Sequence, residues 1–400
     1  MNEENFITGN AKVVRSINRA MILNIIRTKQ PIHRTEIAKI TGLNKSTVSS
    51  IVNSLLEENL IFEQVKPEQN VGRNPVNLFL RKNSYLTGAI SIDADTASLA
   101  IIDIDGSIIA ASAAGMGSSA PEDFLKSCLK EIRALCAKNG IEQLEGIGIS
   151  IGGIVGSGNS ILSYMPDPRW ENINVHEIIR EQWPELKIFS LGSDAKSGAM
   201  AELWFGTSAF NLSSFVFVSI SSGINSGIVI ENKLLDSGSQ ASGEFGHIPV
   251  VQGGEICACG NSGCWERYAS DSASIKRYLE KIAPEKPAEK LTLKDIIELA
   301  GKNNQSAVDA LKETGYYLGL GITNIVRSID PQAVILSGTI IQAWDIIYPE
   351  IIKVVKEKTF FGRERTPQII ATSLSGNSKL LGAATLVIKE IFDYYRITTE

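Results

Sequence analysis

Three cysteines and a histidine crowd into one short stretch, His247 followed by Cys257-Ala-Cys259-Gly-Asn-Ser-Gly-Cys264. Three thiolates and one imidazole match a closed tetrahedral Zn²⁺ site, the structural kind with no position left for water. The expected ligands are His247, Cys257, Cys259 and Cys264, holding one structural zinc per chain. Gly260 and Gly263 would let the chain fold tightly around the ion. Three reduced thiols in a loop are the plainer alternative, and a catalytic ion fits less well because all four positions are filled. The remaining pair, Cys128 and Cys136, share one apolar face of a helix and read as core packing. Spacing this uneven argues against a disulfide framework.

A second chemistry lies near the N-terminus. Residues 1–82 carry 12 Lys/Arg against 7 Asp/Glu, and the rest of the chain 27 against 37. A basic head on an acidic body points to a polyanionic partner for the head alone. Within it, Asn44, Lys45, Ser46, Thr47, Ser49 and Ser50 open a helix whose apolar face is Val48, Ile51, Val52, Leu55 and Leu56. Small polar residues at the start of such a helix suit hydrogen bonds to base edges and phosphates in a major groove. His33, Arg34 and Thr35, at the start of the preceding helix, are placed to hold the DNA backbone, and Arg73 sits at a turn-rich tip, Gly72-Arg73-Asn74-Pro75. An Arg there could enter a minor groove or rest on a phosphate. A three-helix module used for protein contacts is the alternative.

The elements that must position these residues follow from periodicity. Residues 12–28 place Val13, Ile17, Met21 and Ile25 at helical spacing, with Ile22 and Ile26 on the flank. A short helix at 35–40 stops at Thr41-Gly42, and Asn44 caps the next. Two strands, LIFEQV and VNLFL, complete a winged helix-turn-helix. From about residue 86 the pattern is α/β: strands at GAISI, LAIIDI and SIIAASA, a helix at 121–138, a strand GIGISIGG, a helix at 176–182, a strand KIFSL, and a helix from Asp194. A similar series begins at 215 with SFVFVSI, SGIVIE and KLLD, closing with a helix at 306–329 and a strand AVILSG. Two successive halves of this kind predict a bilobal α/β domain. The amphipathic last helix, 378–395, is placed to pack back on the first lobe, and 284–290 reads as a solvated loop.

No apolar run approaches the roughly 18 to 20 residues of a membrane span. The opening MNEENFITGNAKVV lacks the basic-then-apolar pattern of a secretory signal, so the cytoplasm is the expected compartment.

The sequence resembles the ROK family of repressors, open reading frames and sugar kinases over nearly its whole length. The most specific piece runs from Gly223 to Glu266 and includes Gly243-Glu244-Phe245-Gly246-His247 and the cysteine loop. The head, RTEIAKITGLNKSTVSSIVNSLLEENLI, with its GRNP wing, resembles the repressor branch, since the kinases lack such a head. The resemblance implies a two-lobed, actin-like (ribonuclease H-like) domain of the sugar-kinase type, with sugar in the interlobe cleft. It implies sugar contacts at Gly153, Asp194, Glu244, His247 and Glu266. An Asn commonly precedes the matching Asp; here it is Ser193. The implied domains are 1–82, the head; 83–205, a first lobe completed by 378–400; and 206–377, a second lobe with the zinc site and a dimerisation surface.

In the kinases the residue matching Asp194 is the general base. A sensor can use the same carboxylate as an acceptor, so the phosphate side decides more. There Asp93-Ala94-Asp95-Thr96 stands for Asp-x-Gly-x-Thr, Ser221-Ser222-Gly223 for Gly-Thr-Gly, and Leu336-Ser337-Gly338 for a motif with a glycine pair. Asp95 puts a negative side chain where phosphates would lie, which repels them by on the order of 1 kcal/mol in water and more in a cleft. The expectation is therefore a non-enzymatic, sugar-responsive regulator, a repressor of carbohydrate genes released by sugar. It would bind operator DNA as a homodimer or tetramer, with no membrane partner. An active sugar kinase that also binds DNA, or a regulator answering to a protein partner, are the alternatives.

Overall fold

Apolar residues nearly encircle the first helix, α1 (Ala11–Lys29), so its sequence does not decide which side is buried. In the computed structural model, which describes residues 11–65, 76–93, 96–117, 119–156, 160–165, 170–209, 211–235, 242–282, 291–359, 367–374 and 377–392, the buried stripe is Ile22, Leu23 and Ile26. Ile17, expected in the centre, is 37% exposed, and the side chain of Val13 lies outside the description. The stripe is rotated because α1 meets two surfaces, its own head and the body below. The head continues with α2 (Arg34–Thr41), closed by Gly42 in the left-handed region, and α3 (Lys45–Glu57). Asn44 caps α3 as expected, its side chain accepting from the Thr47 N–H at 2.7 Å. Strands β1 (Ile61–Val65) and β2 (Val76–Leu80) pair antiparallel; the wing tip between them lies outside the described residues.

The first lobe begins with an antiparallel meander, β3 (Thr87–Asp93), β4 (Thr96–Ile102) and β5 (Ile108–Gly115), followed by α4 (Pro121–Lys138) and β6 (Gly146–Ile151). A small antiparallel sheet that the sequence reading missed comes next: β7 (Ile154–Val155), β8 (Ile161–Met165) and β9 (Trp170–Asn174). Then come α5 (Val175–Gln182), β10 (Ile188–Ser193) and α6 (Asp194–Phe205). The main sheet has the order β10-β6-β3-β4-β5, with β6 and β10 parallel to β3.

The second lobe repeats this plan. β11 (Phe215–Ile220), β12 (Ile224–Ile230) and β13 (Lys233–Leu234) are antiparallel. After them come α7 (Glu266–Ala269), α8 (Asp271–Ile282), α9 (Leu293–Gly301) and α10 (Gln305–Ile329). β14 (Ala333–Ser337), α11 (Trp344–Lys358) and β15 (Gln368–Ala371) complete a sheet of order β13-β12-β11-β14-β15. The order and strand directions match the first sheet, so the two halves foreseen in the sequence are one plan used twice. Loop 283–290 lies outside the described residues.

The last helix, α12 (Ser378–Phe392), lies on β3, β6 and β10 of the first lobe as expected, but it is not simply amphipathic. Eleven of its residues are buried, from Ser378 through Phe392, because it is covered on several sides. α6 packs on β11 and β12 of the second sheet, and α6 and α12 pack on each other, forming the layer between the two sheets. Their backbones touch: a Cβ on Gly382 would fall 2.3 Å from the Ser197 carbonyl group. Buried residues of the head, Ile22, Leu23 and Ile26 among them, form one apolar cluster with Leu380, Val387 and Phe392 of α12. Packing is thus continuous across the sequence boundary at residue 82. Among the described residues no helix is long and apolar enough to cross a membrane.

The rotated face gives a direct test. Ile22→Ala should destabilise the chain by roughly 2–5 kcal/mol, whereas Ile17→Ala should stay within about 0.5 kcal/mol. Urea unfolding followed by circular dichroism reads both; equal effects would restore the stripe centred on Ile17.

Candidate functional site

The four metal candidates converge. One ligand atom from each of His247, Cys257, Cys259 and Cys264 lies within 4.8 Å of the others. Cys257 Sγ is 3.6 Å from His247 Nδ1, and Cys259 Sγ is 3.7 Å from Cys264 Sγ. A tetrahedral ion with bonds of about 2.3 Å to sulfur and 2.0–2.1 Å to nitrogen has edges of about 3.6 and 3.8 Å, so a metal ion fits the donor set. Gly260 and Gly263 both have positive φ, at 89° and 79°. Gly263 has a second reason to lack a side chain, since its Cβ would lie 1.8 Å from the Val251 carbonyl oxygen. The loop is anchored behind by Trp265, fully buried, whose indole N–H donates to the Tyr317 carbonyl at 2.8 Å. Burial pushes the Cys257 and Cys264 thiols up, while the Asn261 backbone N–H helps hold Cys259 down.

The same histidine joins the metal cluster to the cleft. Nδ1 faces Cys257 and lies 3.5 Å from Glu266 Oε1; Nε2, across the ring, lies 3.8 Å from Glu244 Oε2. The Glu244 carboxyl is raised by burial, an effect that His247 and Lys196 oppose and that Asp194 and Glu266 reinforce. Asp194, Glu244, His247 and Glu266 therefore share one electrostatic neighbourhood. Asp194 begins α6 directly after β10, and Gly152-Gly153 leave the end of β6. Ile151 and Ser193 are paired in register on these parallel strands, so Gly153 and Asp194 depart from adjacent carboxyl ends, where open α/β sheets hold ligands.

Asp194 has a partner that the sequence reading did not anticipate. Lys379 Nζ lies 3.1 Å from Asp194 Oδ2 and 2.9 Å from Asp93 Oδ2. Burial alone would lower the lysine, but the two carboxylates more than reverse this and keep it charged. Ser219 Oγ at 3.4 Å and Asn225 Nδ2 at 3.5 Å make weaker contacts to the same aspartate. Beside Lys379 a cavity of about 490 Å³ is lined by Asp93, Ser219, Ser221, Asp271 and Gly338. Burial raises Asp271 to about 7, with Lys379 lowering and Asp93 raising it. Nothing in the spacing of SGNSKLLGAA marks Lys379 as more than a surface lysine. Ala94 and Asp95 lie outside the described residues.

On the head, Asn44, Lys45, Ser46 and Ser50 are exposed on α3, and Thr47 and Ser49 are half-buried. The α1 residues Arg15 and Asn18, which the sequence reading did not single out, share a groove with Ser46, Thr47 and Ser50. Thr35 is exposed, but its neighbours are engaged within the head. Arg34 pairs with Glu63 at 2.7 Å and His33 Nδ1 meets the Val76 carbonyl at 3.0 Å, so both brace the wing strands. Arg73 lies outside the described residues.

The ROK family model matches residues 87–390, and a model of the winged helix-turn-helix DNA-binding domain matches residues 15–61. The chain belongs to the ROK family. It is 33% identical over 387 residues to the xylose repressor of Bacillus spizizenii, covering 96% of this chain and 98% of that protein. The N-acetylglucosamine repressor of Escherichia coli O157:H7 is 24% identical over 385 residues, covering 95% and 94% of the two chains. Among solved structures, a ROK family transcriptional regulator, a homologue of the E. coli MLC protein, superposes with a TM-score of 0.82 at 24% identity over 96% of this chain and 98% of its own. A ROK family glucokinase from Streptomyces griseus, in complex with glucose and AMPPNP, gives 0.66 at 24% identity over 75% of this chain and 98% of its own. At these identities the structures show the fold alone, the winged head on a two-lobed sugar-kinase-type body.

Two outcomes follow for the site. Bound ion displaces thiol protons, so metal affinity should fall as pH is lowered, and Cys259→Ser should cut the metal retained after chelator challenge, as read by elemental analysis. Full metal content in that variant would refute the ligand set. Asp271 has a folded pKa of about 7 against an ordinary 3.8, so its burial costs stability progressively as pH rises from about 4 to 7. Asp271→Asn should accordingly raise the unfolding midpoint at pH 8 and leave it nearly unchanged at pH 4.

Proposed function

We propose that this chain is a sugar-responsive transcriptional repressor that leaves its operator when a sugar occupies the interlobe cleft. What supports this reading is the cluster of Glu244, His247 and Glu266 within electrostatic reach of Asp194 at the end of β10, in a chain whose head presents a polar helix for DNA. Carboxylates and an imidazole with one nitrogen fixed suit vicinal hydroxyls. They also reject analogues lacking a hydroxyl, because the buried acceptor would go unpaired. Gly153 completes the proposed contacts through its backbone, since a Cβ there would lie 2.5 Å from the Tyr164 carbonyl oxygen. The relatives named for xylose and N-acetylglucosamine make these the first sugars to test.

The ion is proposed to be zinc, with a structural role: three thiolates and an imidazole fill its coordination. Held there, it would fix the His247 ring through Nδ1 and leave Nε2 for the cleft. The chain is proposed to act in the cytoplasm as a homodimer or tetramer. Two heads would meet half-sites one DNA turn apart, about 34–36 Å, or a multiple of this. Lys45, Ser46, Ser50 and Arg73 would contact bases or phosphates, with Asn44, Thr47 and Ser49 shaping the start of α3. Thr35 would hold the backbone, and Arg34 would do so only by exchanging Glu63 for a phosphate. The kinase reading is disfavoured by Lys379, which already occupies the acceptor of Asp194 that a general base would need.

Fluorescence anisotropy of the full chain on its upstream promoter DNA, at fixed salt, tests the reading. D-Xylose or another sugar should release the DNA, Glu244→Ala should bind DNA but ignore the sugar, and a normal response in that variant would remove Glu244 from the cleft site. Lys45→Ala and Arg73→Ala should each lower the slope of log affinity against log salt by about 1; unchanged slopes would displace the proposed DNA face.

A further inference from the structure

The two helices between the sheets begin at the cleft and end beneath the head. α6 opens with Asp194 and closes with Trp204-Phe205; α12 opens with Ser378-Lys379 and closes with Ile391-Phe392. At the head end, Trp204 and Phe392 meet edge to face, with ring centroids 4.9 Å apart. Arg27 of α1 lies over both rings, 4.3 Å from the Trp204 centroid and 5.7 Å from that of Phe392, and donates to the Trp204 carbonyl at 2.9 Å. At the cleft end the helices are joined by Lys379 and Asp194. Between the ends they touch backbone to backbone at Gly382 and Ser197. The first helix of the head thus rests on the far ends of two helices whose near ends are tied by one ion pair.

We infer that the Lys379–Asp194 ion pair is the switch contact through which sugar in the cleft alters the head. This rests on the proposed sugar site at Asp194. That carboxylate is almost fully enclosed, its side chain 3% exposed, and Lys379 and Ser219 already share its Oδ2. A sugar hydroxyl that donates to Asp194 must compete with the ammonium. Lys379 has somewhere to go, because Asp93, on the tip side of β3 and 52% exposed, already holds it at 2.9 Å. Moving the ammonium from Asp194 toward Asp93 would untie α12 from α6 at the cleft and leave the Gly382 contact as a pivot. At the other end that rotation would reach Trp204, Phe392 and Arg27. A sugar can shift the head only by binding one arrangement better than the other, and displacement of Lys379 supplies that difference.

The test uses the full-length chain with its own operator and D-xylose, or whichever sugar releases the wild type. In Lys379→Met, where the tie between α6 and α12 is already cut, operator affinity without sugar should fall to near that of the sugar-bound wild type. Sugar should bind several-fold tighter, because nothing has to be displaced, and the sugar-induced loss of DNA affinity, about 5–150-fold in a coupled protein of this kind, should shrink below about twofold. In Asp93→Asn, a change at an exposed carboxylate, Lys379 is left wholly to Asp194; sugar binding should weaken several-fold while release at saturation is retained. Opposite shifts in sugar affinity are not the result of general damage to packing. Wild-type operator affinity and wild-type release in Lys379→Met, or sugar binding no tighter than wild type, would overturn the inference while leaving the sugar-sensor reading intact. A wild-type chain that binds operator and is released by no sugar would overturn both.

Discussion

α6 and α12 lie so close at Gly382 and Ser197 that no side chain fits between their backbones. Each lobe contributes a sheet to one of the helices: α12 rests on β3, β6 and β10, and α6 on β11 and β12. Any motion of one sheet against the other must therefore pass through this helix pair. The head cannot be indifferent to such motion, because α1 shares an apolar cluster with α12 and holds Trp204 of α6 through Arg27. Close packing of this kind favours alternative discrete arrangements over gradual deformation. A ligand at the cleft end then has a mechanical path to the DNA-binding end.

The cysteine-histidine cluster, which could hold a metal ion, flanks Glu244 and Glu266 from the other side. Its loop hangs from Trp265, and the His247 ring stands between the thiols and Glu244. The protein thus holds two kinds of charge control around one carboxylate-rich pocket. One is a soft-ligand cluster that orients an imidazole, and the other is a resident ammonium among Asp93, Asp194 and the nearby Asp271. Lys379 keeps a positive charge within this region as part of the chain itself.

Local chemistry was largely legible in the sequence. Asn44 before Lys45-Ser46-Thr47 announced a cap and the structure has it; short apolar runs gave the strands of both main sheets except β15; the cysteine spacing gave four donors within 4.8 Å of one another. What was not legible depended on neighbours distant in sequence. The face of α1 could not be chosen because its apolar residues surround the helix, and the choice is made by α12. The strands β8 and β9 are short, with mixed burial, and become strands by pairing with each other. Arg34, which reads as a phosphate contact, finds Glu63 on a strand that the sequence places well downstream. Lys379 is separated from Asp93 by nearly the whole body of the chain, so no periodicity could join them.

If cleft and head are coupled through these helices, the coupling must be reciprocal. The measurement that tests this most directly is the dissociation constant of the releasing sugar for the free protein and for the protein saturated with operator DNA. The account predicts that operator weakens sugar binding by the same factor by which sugar weakens operator binding. An identical sugar affinity with and without operator would contradict it.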